Sequence, residues 1–302
     1  MVRSWQSFPT MVAAGLAVGL ATGGFPAYGK EISQVALVLA MTFSLTEISF
    51  AGISPMAEIR GLALSFAMTY GVLSGLLLVF ALTSPDPEIR DGWVLMAAVP
   101  PAIAVIPITS ILGGDVRRSL ISSSFLYLLG LVLVPLVTVV FAGRAVPVLD
   151  LFLQTVLLIG VPLAFSRPLR GWSGIPRVRP AAVALSFFVL VTAIAGSTRG
   201  TLFANPEALA SLSILSFVRT FGLGLALFYL SQSLRASRRD QVTTTAFASF
   251  KNLGLTVVLA FAFFGEAAAL PSIVSLVFES LWMVALPHLF RAGSCHGSKG
   301  LP

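Results

Sequence analysis

The chain has 302 residues, of which 57% are hydrophobic and only 10% are charged, and its formal net charge is +7. A chain with so much apolar surface does not fold around a single soluble core, so the composition indicates an integral membrane protein. One cysteine and two histidines exclude a disulfide framework and a metal-ligand cluster, and the dispersed basic residues argue against nucleic acid as a partner.

Ten apolar segments follow one another, each about as long as a helix that crosses a bilayer. Of the 19 Lys and Arg residues, thirteen lie in loops on the side of the N-terminus, four lie in loops on the other side and two lie within segments. Cytoplasmic loops are enriched in Lys and Arg, so we expect both termini in the cytoplasm and the protein in the plasma (inner) membrane. The segments lie at about 8–27, 32–50, 62–82, 93–112, 119–141, 148–166, 181–198, 208–234, 242–264 and 268–290.

The first segment could also be read as a signal peptide. Pro9 and the apolar residues through Phe25 make a poor cleavage region, however, so a membrane span is the expectation.

The longest polar stretch is rich in arginine and predicts a cytoplasmic connector. Two halves with an odd number of spans each take opposite orientations, which produces the inverted repeats of secondary transporters. We assign a first five-span repeat to 1–166, the connector to 167–180, a second five-span repeat (spans six to ten) to 148–166 with 181–290, and a short polar tail to 291–302.

Segments four and nine each contain residues that disturb a helix. Segment four has Pro100-Pro101, and consecutive prolines remove amide donors and clash with the preceding turn. Segment nine has Lys251-Asn252 near its centre, too deep for the ammonium to reach either interface. Interrupted segments in corresponding positions of two halves predict a binding site at the membrane midplane.

Two stretches carry a family resemblance. Residues 100–120 (PPAIAVIPITSILGGDVRRSL) and the following ISSSF resemble the fourth and fifth spans of the bile acid:sodium symporter family, within the wider superfamily of bile acid, arsenite and auxin carriers. Residues 247–280 (FASFKNLGLTVVLAFAFFGEAAALPSIVSLVFES) resemble its ninth and tenth spans. The resemblance implies an all-α fold of ten transmembrane helices in two inverted five-helix repeats. It further implies a panel and a core domain, with spans four and nine interrupted at the midplane where they cross.

The positions that the family uses for sodium differ in this chain. Val105 and Ile106 stand where sodium-binding members have a Ser-Asn pair, and Phe247 stands in place of an acid. In the ninth span Lys251 replaces a glutamine, and only Asn252 of the pair remains. Hard cations need several oxygen ligands, so we expect no coupling to sodium through the usual family sites. Two hydroxyl positions of the fifth span are retained, at Ser119 and Ser123.

Three charged residues lie at about the same depth. At a rise of about 1.5 Å per residue, Lys251, Arg219 and Glu279 all reach the midplane. One reading is a permanent ion pair of Glu279 with Lys251 or Arg219 that only neutralises the interior. The other is that two cations against one acid leave a positive pocket, suited to an organic anion or to a proton-linked switch.

We therefore predict a secondary transporter that moves a small organic anion across the lipid bilayer by alternating access. Lys251 and Arg219 would attract the anion, Asn252 and the loosened backbone at Pro100-Pro101 would orient it, and Glu279 would compete for the lysine in the empty site. The alternative is a substrate-gated membrane sensor or partner-binding subunit on the same scaffold. No enzyme, cofactor or metal is expected, because the sequence names no acid/base pair, nucleotide loop or ligand set. Protons stay open as the coupling ion, and so does the oligomeric state.

Overall fold

The computed structural model describes residues 8–48, 58–142 and 146–294, and most of these residues are helical. The described ranges contain an isolated β-bridge but no named strand. Contiguous helical stretches are numbered in chain order: α1 (Phe8–Thr22), α2 (Gly29–Leu45), α3 (Ile59–Thr83), α4 (Pro87–Ala98), α5 (Val105–Leu112), α6 (Val116–Phe141), α7 (Val148–Arg170), α8 (Ile175–Ala204), α9 (Pro206–Ser233), α10 (Arg238–Ser249), α11 (Leu253–Phe263) and α12 (Glu266–Ser294).

Six helices of the described residues are long and apolar enough to cross a membrane, by length and composition: α3, α6, α7, α8, α9 and α12. Helices α1 and α11 are apolar but shorter. This pattern confirms an all-α membrane protein. Predicted segments four and nine each consist of two short helices, α4 with α5 and α10 with α11, so neither forms one long helix.

Local sequence explains where these short helices begin and end. Asp86 caps α4 by accepting hydrogen bonds from two amides of its first turn, and Pro87 occupies the first helical position. Asn252 caps α11, because its Oδ1 accepts from the Leu255 amide at 3.1 Å. After α5 and α11 the chain turns at Gly113 and Gly265, whose φ angles of 75° and 100° favour glycine.

Three of the long helices contain a π-helical turn. These turns are Ala67–Leu73 in α3, Val156–Gly160 in α7 and Val218–Gly222 in α9. Single π-turns within α-helices occur often at functional sites. Tyr70 lies on the turn of α3 and Arg219 on the turn of α9, and both residues take part in the site described below.

The helices pack in two groups. In the first group, α8 packs along both α1 and α2, and α7 packs against α2. Gly19 allows α1 to approach α8 closely, since a Cβ there would lie 2.7 Å from the Thr192 carbonyl oxygen. In the second group, α12 packs on α4, α9 and α11, while α4 also contacts α3 and α6. Helices α5 and α10 pack on each other within the second group.

The arginine-rich connector predicted at 167–180 lies between α7 and α8, and much of it is helical, since α7 runs to Arg170 and α8 begins at Ile175. Six predicted segments precede this connector and four follow it, so it does not separate two sets of five. A division into five and five predicted segments falls instead between α6 and α7. Residues 295–302 of the predicted tail lie outside the described residues.

Candidate functional site

The two interrupted segments cross each other and complete each other's backbone hydrogen bonds. Pro101 and Lys251 form an antiparallel bridge. The Asn252 amide donates to the Pro100 carbonyl at 3.0 Å, and the Ala102 amide donates to the Phe250 carbonyl at 3.2 Å. An unwound chain inside a membrane protein needs such partners, because an unpaired buried amide or carbonyl is costly. The consecutive prolines and the Lys-Asn pair thus break two helices at the same place.

Four helix ends meet at this crossing. Helices α4 and α10 end there, and helices α5 and α11 begin there. A helix carries partial positive charge at its N-terminus and partial negative charge at its C-terminus. The crossing therefore presents two ends of each sign within one small region, where buried charged side chains can interact with them.

Lys251 is 1% exposed, and its ammonium lies against oxygens that carry no formal charge. The Nζ atom donates to the carbonyl oxygens of Val99 at 2.8 Å and Ala97 at 3.0 Å, and to the Ser74 hydroxyl at 2.9 Å. It also lies 4.5 Å from the centre of the Tyr70 ring. Its three hydrogens are all used at the end of α4.

Glu279 forms an ion pair with Arg219, not with the Lys251 side chain. The same carboxylate oxygen accepts a hydrogen bond from the Lys251 backbone amide at 3.1 Å. Arg219 is 0% exposed and also donates to the Ser249 carbonyl at 3.1 Å, at the end of α10. In the described residues no carboxylate lies within salt-bridge distance of the Lys251 ammonium, so these three residues leave one positive charge without an acidic partner.

Asn252 connects the two helix groups. Its amide nitrogen donates to the Tyr127 hydroxyl on α6 at 2.9 Å and contacts the Met41 sulfur on α2 at 3.3 Å. Its side-chain oxygen caps α11. Every polar atom of this side chain thus has a partner, and the side chain contacts both helix groups.

The two serines retained in the fifth span lie away from this constellation. Ser119 donates to the Asp115 carbonyl of its own helix at 2.9 Å. The Ser123 hydroxyl is buried without a hydrogen-bond partner among the described residues. Val105, Ile106 and Phe247, at the positions where sodium-binding relatives have polar residues, are buried in hydrophobic clusters.

A cavity of about 470 Å³ extends from the crossing to one end of the helices. Lys251, Asn252, Glu279 and Tyr127 line its inner part, whereas Ser119 and Ser123 are not part of its wall. Apolar side chains form most of the remaining wall, among them Ile103, Pro107, Val183, Phe187, Leu276 and Met283.

A second ion pair lies at the opposite end of this cavity. Glu47 Oε1 and Arg179 Nη2 are 2.6 Å apart, and the side chains are 22% and 26% exposed. The sequence analysis did not assign Glu47 or Arg179 to the site. The available signal was that Glu47 ends one apolar segment while Arg179 precedes another, which places both at the same membrane face.

Comparisons with known proteins identify the family of the chain. The model of the SBF-like CPA transporter family matches residues 19–289. The chain is also similar to sodium/bile acid cotransporter 7 of Danio rerio, with 31% identity over 195 residues. That match covers 60% of this chain and 58% of the relative. The resemblance noted in the sequence is confirmed, and the chain belongs to the SBF-like CPA transporter family.

Proposed function

We propose that this protein is a secondary transporter that carries a small organic anion across the plasma membrane by alternating access. Ten spans in two inverted repeats would provide the scaffold, with the broken helices α4/α5 and α10/α11 as equivalent elements at the midplane. The packing in two groups supports this, because such groups can move against each other as a panel and a core. The crossing belongs to the second group and contacts the first through Asn252 and Met41.

The observation that carries the choice of an anion is the charge at the inner end of the cavity. Glu279 is paired with Arg219, and Glu47 with Arg179, so Lys251 is the surplus cation. Lys251 lines the cavity, while its ammonium contacts uncharged oxygens that are not part of the cavity wall. Ala104, the N-cap of α5, and Leu253, the first residue of α11, also line the cavity. Helix N-termini favour anions, and together with the surplus cation they give this end a positive potential.

Transport without sodium follows from the residues around the crossing. Val105, Ile106 and Phe247 have apolar side chains, so these positions offer no side-chain oxygen to a metal ion. The ammonium of Lys251 adds electrostatic repulsion of Na⁺ close by. The protein would therefore bind no sodium at the usual sites of the family.

The position of the cavity suggests which state of the transport cycle is present. Its outer wall includes Ser44 near the end of α2, Arg179 near the start of α8 and Pro287 in the last part of α12. The charge distribution of the loops favours a cytoplasmic position for these helix ends and for both termini. We infer that the structure is open toward the cytoplasm.

Bile acids are a reasonable first substrate class to test, since the Danio rerio relative is named for sodium and bile acid. The experiment is counterflow in proteoliposomes. Vesicles loaded with unlabelled cholate, or with a small carboxylate, receive the labelled compound outside, and a carrier accumulates label transiently without any ion gradient. Binding of an anion in thermal-shift assays without counterflow would instead support a membrane sensor or partner-binding subunit.

A further inference from the structure

The surroundings of the Lys251 ammonium resemble a coordination shell for a free ion. Three oxygens lie 2.8 to 3.0 Å from Nζ, and none belongs to a carboxylate. Two are backbone carbonyls of Ala97 and Val99, at the last turn of α4, and the third is the Ser74 hydroxyl on α3. Carbonyl and hydroxyl oxygens arranged around a buried point are how proteins hold desolvated monovalent cations.

The oxygens around Nζ favour the protonated form of the lysine. The carbonyls of Ala97 and Val99 can only accept hydrogen bonds. The Ser74 hydroxyl donates its proton to a backbone carbonyl, either that of Ala97 at 2.6 Å or that of Thr69 at 2.9 Å. With the Ser74 proton directed to a carbonyl, all three contacts with Nζ use N–H groups from the lysine, and the protonated amine supplies three.

The positive charge has a definite role at this position. Helix α4 ends at the crossing, where its last carbonyls have no partners within the helix and carry partial negative charge. The ammonium binds two of these carbonyls, and the face of the Tyr70 ring adds a cation–π contact on another side. The partial negative charge at the end of α4 is thus compensated by the ammonium of Lys251, which lies between α10 and α11 in the other interrupted segment.

We propose that Ala97, Val99 and Ser74 form a monovalent-cation site that the protein fills with its own ammonium, as a covalently tethered substitute for a free ion. This proposal deepens the sodium-independent transport proposed above. The oxygens are spaced for an ion of ammonium or potassium size and would have to move inward to bind Na⁺. Without the lysine head group, the site accepts free ammonium-type cations, and the stability of the crossing becomes dependent on them.

Chemical rescue tests this proposal. Lys251→Ala removes the side chain beyond Cβ, and n-propylammonium supplies the three missing carbons and the ammonium. Purified Lys251→Ala protein is compared in n-propylammonium, methylammonium, K⁺, Na⁺ and choline chloride at equal ionic strength. We expect the Tm to rise by several degrees with a saturating dependence, most with n-propylammonium and least with Na⁺ and choline. The matched control is Lys251→Met, whose side chain fills most of the same space, and its Tm should not respond.

Recovery of the variant gives a second measurement if Lys251→Ala is unstable. Membranes are solubilised in n-propylammonium or in choline, and the monodisperse fraction is measured by size-exclusion chromatography. More monodisperse protein in n-propylammonium supports the proposal. Equal recovery with no Tm response, failure in both salts, or an equal response of Lys251→Met overturns it. None of these measurements depends on transport. A negative result here would refute the cation site, whereas absence of counterflow by the unaltered protein would refute the proposed function.

Discussion

Removal of the carboxylate at position 279 should destabilise the protein strongly. Glu279→Gln keeps an oxygen that can accept from the Lys251 amide but leaves the Arg219 guanidinium without its counter-charge. Arg219 is 0% exposed, so water cannot replace the lost partner. Breaking a buried ion pair on one side costs about 3 to 5 kcal/mol, because an uncompensated charge stays in the interior.

The expected size of the effect in a melting experiment follows from this cost. A loss of 1 kcal/mol lowers the Tm of a large domain by about 2 to 4 °C, so Glu279→Gln should lower it by about 6 to 20 °C. Glu266→Gln is the matched control, since Glu266 is an exposed acid at the start of the same helix. Gln keeps an acceptor for Thr201, which donates to Glu266 at 2.8 Å, but loses the charge that favours a helix N-terminus, so this change should cost about 1 kcal/mol or less.

A double-mutant cycle then identifies the partner of the acid. Arg219→Met alone should be costly, and Arg219→Met with Glu279→Gln should cost clearly less than the sum of the two single changes. Coupling between Glu279 and Lys251 should be smaller, since only the Lys251 backbone contacts the carboxylate. Additive losses for Arg219 and Glu279, or stronger coupling to Lys251, would refute the assignment of the ion pair.

Three further predictions concern transport and orientation. Replacement of Na⁺ by choline should leave uptake unchanged, and a saturating sodium requirement in uptake assays would contradict this. Cysteines placed at Ser173 and Ser237, in a chain without its natural cysteine, should resist impermeant thiol reagents in intact cells, whereas one at Glu207 should react; labelling of either of the first two from outside would reverse the orientation. Arg179→Gln should raise the KM for anion uptake from the cytoplasmic side more than Glu47→Gln, because the arginine is the attractive member of the pair at the cavity mouth; equal effects, measured in inside-out vesicles, would argue against this role.

The breaks in the helices could be predicted from the sequence because their causes are local. Pro100-Pro101 removes amide donors wherever it lies in a helix, and a lysine at the centre of an apolar segment needs protein partners wherever the helix packs. The all-α membrane fold follows from composition and segment length for the same reason. These properties depend on the residues themselves and not on their neighbours in space.

The pairing of the charges could not be predicted in the same way. The helical rise per residue places Lys251, Arg219 and Glu279 at one depth in the membrane. The side of each helix on which they lie depends on the π-turn of α9 and on the unwound chain around position 251. The tertiary structure turns the lysine toward the end of α4 and leaves the acid to Arg219. The pair of Glu47 and Arg179 was missed because it joins two helices that are distant in sequence.

Counterflow of an organic anion in sodium-free proteoliposomes tests the central claim most directly. The account predicts transient accumulation of labelled anion by the unaltered protein in choline medium, and loss of that accumulation in Lys251→Met protein that still shows cooperative thermal unfolding. The contrary result is either no counterflow of any anion that stabilises the unaltered protein, or undiminished counterflow by Lys251→Met.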